Sequence, residues 1–297
     1  MERVLQLEQL PVDILIQIFS YLDQPSRLQV CLVSKFMLKT CICVMWYVPK
    51  CTTAFALNAL MATINNGSNN LYPYSSYMSG LSLSFDQAEH IDVCCNTTLP
   101  LRTLWIENVE SLSPTFLNQI VRDVAELGLS KCSKETIKSI SVILARYRQR
   151  SKLEQIDIYD CYMSDQMVRQ MVMSTPMLKR FNYCRSGFLS DSSVFAIVEH
   201  CQLIESLIMT LPRHIVQANT VTFAALEVLA QLPRLKIFVC RGQVRIATKQ
   251  NEEWMYKHCP SLIHCDLSFD TWYKHPILEL HMYDNRQTEI DIAKDEV

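Results

Sequence analysis

Glycine is scarce in this chain, with 5 among 297 residues. Loops that cradle a phosphate need glycine where the backbone must approach its ligand, and neither a G-x-G-x-x-G run nor a Walker-type spacing occurs. Those nucleotide-binding classes are excluded. Charge of one sign is missing as well, since 28 Lys and Arg stand against 30 Asp and Glu, for a formal net charge of −2. No global field draws the chain to nucleic acid or to an anionic membrane, and neither is expected as a partner. Long apolar runs are also lacking. The densest, "CICVMWYVP" at 41–49, is far too short to cross a bilayer, and "MERVLQLEQLP" lacks the apolar core and cleavage site of a signal peptide. The chain reads as intracellular, in the cytoplasm and/or the nucleus.

What is present is ample apolar material, 49% of residues, enough to fill the core of one or two domains. The 13 cysteines are odd in number, scattered and set among apolar neighbours, which in a reducing compartment marks small buried hydrophobes rather than disulfides. One stretch resembles a zinc site: "HCPSLIHC" (258–265) holds His258, Cys259, His264 and Cys265. Its interleaved His-Cys pairs do not have the usual metal-ligand spacing, and no metal or cofactor is expected.

That stretch belongs to a repeat. "CPSLIHCDLSF" (259–269) aligns with "LPRLKIFVCRG" (232–242), "CQLIESLIMTL" (201–211), "TPMLKRFNYCR" (175–185), "RSKLEQIDIYD" (150–160) and "TLPLRTLWIEN" (98–108), with weaker copies at 121–131 and 76–86. The central apolar residues are Leu81, Leu104, Leu127, Ile156, Phe181, Leu207, Phe238 and Cys265, spaced 23, 23, 29, 25, 26, 31 and 27 apart. Each copy alternates with period 2, as a strand does. Helical stretches follow, with Ser133 placed to cap 134–147, Ser164 ahead of Met167, Val168 and Met171, and like runs at 190–201 and 219–232. This strand-turn-helix unit, stacked on its neighbours, resembles the leucine-rich repeat family in its cysteine-containing variety. The resemblance implies an α/β solenoid over 76–283, parallel strands on a concave face and helices on a convex one, with a polar tail at 284–297. On this register Cys259 and Cys265 occupy core positions.

Residues 9–48 follow a different plan. Ile14, Leu15, Ile18, Phe19 and Leu22 form the stripe of an amphipathic helix, Asp23 caps a second helix carrying Leu28, Cys31 and Leu32, and 34–46 predicts a third with Phe36, Leu38, Cys41 and Trp46 turned to a core. Leu10-Pro11, Asp13-Ile14-Leu15, Ile18-Phe19, Tyr21-Leu22, Leu28, Val33-Ser34-Lys35-Phe36 and Trp46 are similar to the F-box pattern, with Ser34 and Phe36 where Cys and Trp are commoner. The resemblance implies a three-helix module that docks a Skp-type adaptor, and through it a cullin, by Leu10, Pro11, Ile14, Leu15, Ile18, Phe19 and Leu22. Between the modules, 63–75 reads as a flexible linker rich in Asn, Ser and Gly.

Residues flanking each inward apolar position point to the opposite face of a strand. Trp105, Glu107, Asp157, Tyr159, Arg180, Asn182 and Asp266 are the candidates from that stripe for holding a protein substrate, and Trp, Tyr and Arg are the types that most often anchor interfaces. The two resemblances together imply a non-catalytic substrate adaptor of an SCF-type ubiquitin ligase. One alternative is a leucine-rich-repeat scaffold without a ligase role. Another is a Cys-His hydrolase using Cys94 or Cys95 with His90, since "AEHIDVCC" puts His90 and Cys94 one helical turn apart, although no orienting group or oxyanion loop accompanies them.

Overall fold

A computed structural model describes residues 7–66, 72–93, 99–147, 151–187, 189–211 and 218–268, in two compact units that divide between Met45 and Trp46. The tail at 284–297 and the end of the expected repeat domain, 269–283, lie outside the described residues.

The first unit holds α1 (Val12–Ser20), α2 (Gln24–Val33) and α3 (Lys35–Met45). Its sequence signals act as read: the Asp23 carboxylate accepts the Ser26 N–H at 3.0 Å, Pro25 occupies the first turn of α2, and Ser34 Oγ accepts the Met37 N–H at 3.2 Å at the start of α3. Leu15 and Phe19 pack with Cys31, Met37 and Cys41 into a small core. Trp46 is not part of it. The indole stacks on Tyr74, centroids 4.3 Å apart, and packs on the core of the second unit.

The second unit is one nine-stranded parallel sheet whose spatial order is the chain order: β1 (Lys50–Cys51), β2 (Gly80–Ile91), β3 (Thr103–Leu112), β4 (Glu126–Ser130), β5 (Gln155–Tyr159), β6 (Arg180–Cys184), β7 (Ser206–Thr210), β8 (Ile237–Arg241) and β9 (His264–Asp266). The register aligns Leu81, Leu104, Leu127, Ile156, Phe181, Leu207, Phe238 and Cys265 in one row, the eight positions at the centre of the sequence repeats. Unequal spacing between copies is therefore taken up away from the strands. Helices α4 (Ala54–Asn65), α5 (Tyr74–Tyr77), α6 (Pro114–Ile120), α7 (Lys134–Arg146), α8 (Asp165–Val172), α9 (Asp191–His200), α10 (Phe223–Leu229) and α11 (Lys249–His258) complete the unit. Except for α5, their apolar sides share one continuous core with the inward strand residues. Sequence reading missed β1 and α4; of the expected 63–75 linker, α4 takes the first three residues and α5 the last two, and 67–71 lie outside the described residues.

Two devices bind one repeat to the next, and a third covers the outer edge of β9. A left-handed residue follows the strand in several copies: Lys131, Asp160 and Arg185 have φ of 51°, 50° and 52°, and Gly242 has 82°. A non-glycine residue pays about 1–2 kcal/mol for this conformation, and the ladder continues through it, with Lys131 N–H on Tyr159 O at 3.0 Å and Asp160 N–H on Cys184 O at 3.2 Å. The next residue then points inward as a bridge: Cys132 N–H donates to Cys161 Sγ at 3.3 Å, and Cys161 N–H to Ser186 Oγ at 3.1 Å.

The second device is a clasp between helix caps. Asp165, in the first turn of α8, accepts Ser190 N–H at 2.9 Å, Ser190 Oγ at 2.7 Å and Ser193 Oγ at 2.5 Å from α9. Asp191 takes Thr222 N–H at 2.7 Å and Thr222 Oγ1 at 2.6 Å in the same way. Each cap hydroxyl thus serves its own helix and the preceding repeat. The third device closes the edge of β9, the last described strand. Tyr256 Oη accepts the Cys265 N–H and Glu252 Oε1 the Leu267 N–H, each at 2.9 Å. An unpaired strand edge is a template for unwanted pairing, and these α11 side chains cover it.

Candidate functional site

The helical unit carries more apolar residues than its core can use. Along α1, Leu15, Phe19 and Leu22 fall at i, i+4 and i+7, and so do Ile14, Ile18 and Tyr21, one residue behind. One residue is a turn of 100° about the helix axis, so the two stripes cannot share one face. The first is inward: Leu15 and Phe19 are 0% and 1% exposed, and Leu22 packs beside them with Leu10. The second is outward, with Ile14 44%, Ile18 37% and Tyr21 71% exposed, and Pro11 and Val12 are exposed next to it. Leu15 and Phe19 are therefore corrected from adaptor contacts to core residues. Leu28, Leu32, Val33 and Phe36 are exposed, so Phe36 does not turn to a core as its helix position implied. A second apolar stripe at the same spacing was the signal for this surface.

In the second unit the face of the sheet away from the helices is built by the strand positions between the inward ones. Its central row runs Ser82, Trp105, Gly128, Asp157, Asn182, Ile208, Val239, Asp266. Gly128 decides the local geometry. The Trp105 indole lies across it so closely that an added Cβ would sit 1.8 Å from Trp105 Cε3. Beyond it stands Tyr159, ring centroids 6.1 Å apart. Glu107 is held by Ser84 Oγ at 2.8 Å and faces Lys131 Nζ at 3.6 Å. The Asp157 carboxylate receives Gln155 Nε2 and Asn182 Nδ2, both at 2.6 Å. Burial pushes its pKa up; the two amides and the charge of Arg180 pull it down without cancelling the rise, and Glu126 adds to it.

Trp105, Glu107, Asp157 and Arg180 are half-buried on this face. Tyr159 and Asn182 are corrected: each is 5% exposed, Tyr159 tilted toward Trp105 across the side-chain-free Gly128, Asn182 drawn onto Asp157. Cys184, Ile208, Val239 and Arg241 are buried as well without joining the helix-side core. Asp266 forms an ion pair with Arg241, whose Nε lies 3.1 Å from Oδ2. Burial raises the Asp266 pKa, but the Arg241 and Ser268 bonds outweigh it and hold the group below its ordinary value.

His90 lies on β2, not on a helix, with Nδ1 2.7 Å from Ser111 Oγ and Nε2 3.1 Å from Glu110. Cys94 and Cys95 lie outside the described residues. Burial pushes the thiols of Cys184 and Cys201 up to about 12, which leaves them protonated and unreactive near neutral pH. In "HCPSLIHC", Cys259 is 1% exposed, Cys265 lies in the inward row, and the His258 ring stacks on Trp254 with centroids 4.1 Å apart. Among the described residues no group of three or more His, Cys, Asp or Glu could hold a metal ion, and no helix is long and apolar enough to cross a membrane.

Residues 7–47 match the F-box-like family, so the chain carries an F-box-like domain at its helical unit. The match covers that domain alone, and no curated protein matches the chain.

Proposed function

We propose that this chain is a substrate-recognition adaptor of an SCF-type ubiquitin ligase, with no catalytic site of its own. The observation that carries the reading is the outward stripe of α1, Ile14, Ile18 and Tyr21, within residues that match the F-box-like family. F-box domains generally bind Skp-type adaptors. A module of about 40 residues gains little by exposing large apolar groups unless a partner covers them. On this reading a cullin is reached through the adaptor, and ubiquitin transfer is accelerated by proximity.

The sheet unit then holds the protein to be modified. Its one aligned row of apolar strand positions and its inward Cys132–Cys161–Ser186 bridges support a leucine-rich repeat of the cysteine-containing kind. Trp105, Glu107, Asp157 and Arg180 are the residues of its helix-free face that would meet the substrate. The reading keeps the protein in the cytoplasm and/or the nucleus.

The test is capture of the Skp-type adaptor and a cullin by the tagged chain. Ile14→Asp with Ile18→Asp is expected to abolish capture while circular dichroism stays unchanged, because both side chains are exposed. Phe19→Asp is expected to unfold the helical unit instead, by placing a charge in its core. Failure of the unaltered chain to recover the adaptor refutes the proposal.

A further inference from the structure

We propose that Arg27 is a positioning residue for adaptor docking, one that fixes the far end of α1 and with it Ile18 and Tyr21; this deepens the adaptor reading above and rests on it. α1 is poorly equipped to hold itself. It has nine residues, Pro11 at its N-cap makes no side-chain bond, and its last turn carries no basic residue. Helices of that length are marginal alone, and the carbonyls of the last turn have no partner within the helix. Arg27, in the first turn of α2, reaches back to them. Its Nε donates to Phe19 O at 3.0 Å and its Nη2 to Ser20 O at 2.8 Å, which also brings a positive charge to the negative end of the helix dipole.

The layout of the unit turns this bond into a matter of position. α1 and α2 each pack chiefly against α3, and the Arg27 fork is a hydrogen-bonded tie between the two. The entry to α1 is held separately, where Ser34 Oγ donates to Glu8 Oε1 at 2.6 Å in the short turn Leu7–Gln9. With that end pinned, loss of Arg27 frees the exit alone. Ile18 and Tyr21, 37% and 71% exposed, flank the two bonded carbonyls, whereas Ile14 lies a turn nearer the pinned end. A planar fork suits the carbonyls of two successive residues, and an ammonium, a point donor on a flexible stem, replaces it only in part.

The test titrates a purified Skp-type adaptor into the full-length protein by calorimetry and follows amide exchange in the free chain. Arg27→Met keeps the stem and removes the fork; it should weaken binding about tenfold, and Arg27→Lys about threefold, the order expected when hydrogen bonds to helix-end carbonyls are lost. Exchange should quicken at Tyr21 and Leu22, whose N–H groups bond Ile18 O and Phe19 O, and stay unchanged along α3. A residue that acts through α1 loses much of its effect once the side chain it places is gone. Arg27→Met should therefore weaken binding by only about threefold in a Tyr21→Ala background, yet keep its effect of about tenfold in an Ile14→Ala background. An undiminished effect on Tyr21→Ala would mean that Arg27 touches the adaptor itself, and overturns the proposal. Exchange quickened equally along α3 also overturns it, as the mark of a merely structural role. If Arg27→Met does not fold by circular dichroism, Arg27→Lys is carried through the same backgrounds and decides the question. Unchanged affinity in folded Arg27→Met sinks the role of Arg27 alone, whereas no binding by the unaltered chain sinks the adaptor reading and this inference with it.

Discussion

Removal of the Asp165 carboxylate tests the idea that adjacent repeats are held by shared helix caps. Asp165→Ala deletes an ionised acceptor that takes three hydrogen bonds from the next repeat, at 2.9, 2.7 and 2.5 Å. A hydrogen bond to a charged group contributes about 1.5–3 kcal/mol, but three bonds to one carboxylate do not add in full. The variant also strands the Ser193 hydroxyl, which is 0% exposed, and removes a negative charge from the first turn of α8. The expected loss is about 3–4 kcal/mol. Asp165→Asn keeps the shape and one acceptor and should lose about half of that. The control is Asp123→Ala, which breaks the exposed pair with Lys152, at 2.9 Å with side chains 39% and 68% exposed, and should cost at most about 1 kcal/mol. Urea unfolding ranks the three variants, and amide exchange should show lost protection concentrated at α9. If Asp165→Ala and Asp123→Ala agree within about 0.5 kcal/mol, the clasp does not hold the repeats together.

Gly128→Val should force the Trp105 indole out of its place and cost about 1–3 kcal/mol, as overpacking does; Trp105→Ala in the same chain should restore most of the loss, and simple additivity of the two effects would contradict the packing. Burial raises the Asp157 pKa above its ordinary value, so at pH well below that value the group is neutral in both states, and as pH rises the unfolded chain releases its proton first. Stability of the unaltered protein relative to Asp157→Asn should therefore fall as pH is raised from about 4 through the raised pKa, and a rise across that range would show the sign to be wrong. Cys259→Ala should lower stability by about 1–3 kcal/mol through a lost core contact, while purified protein carries far less than one equivalent of zinc by elemental analysis; stoichiometric zinc released on unfolding would overturn the core assignment.

The row from Leu81 to Cys265 was legible because strand side chains alternate strictly and a one-residue slip would bury the wrong set. Ile156, 0% exposed, shows how fully that row is used, and Ile156→Ala belongs to the class that costs about 2–5 kcal/mol. Burial on the far face was not legible in the same way. Tyr159 alternates outward as expected, yet its ring is covered, so its truncation destabilises without any error of register. The orientation of Trp105 depends on a glycine 23 residues further along the chain, which no local pattern announces. Ser164-Asp165 and Ser190-Asp191 read locally as ordinary caps, and only the stacking reveals each Asp as the acceptor for the following helix. On α1 both stripes were in view; reading them as one surface merged the core residues with the exposed ones.

Strand order that follows chain order has a consequence for how the protein is made. As the polypeptide leaves the ribosome, every new strand from β2 onward finds its neighbour already synthesised, so no strand has to wait for a later one. At about 5–20 residues per second, a repeat of roughly 26 residues takes seconds to appear, whereas helix and strand formation takes microseconds. The sheet can therefore lengthen one strand at a time from a growing edge that is always the newest. Tyr256 and Glu252 are translated before β9, so the groups that take the outward N–H bonds of Cys265 and Leu267 are in place when that strand emerges.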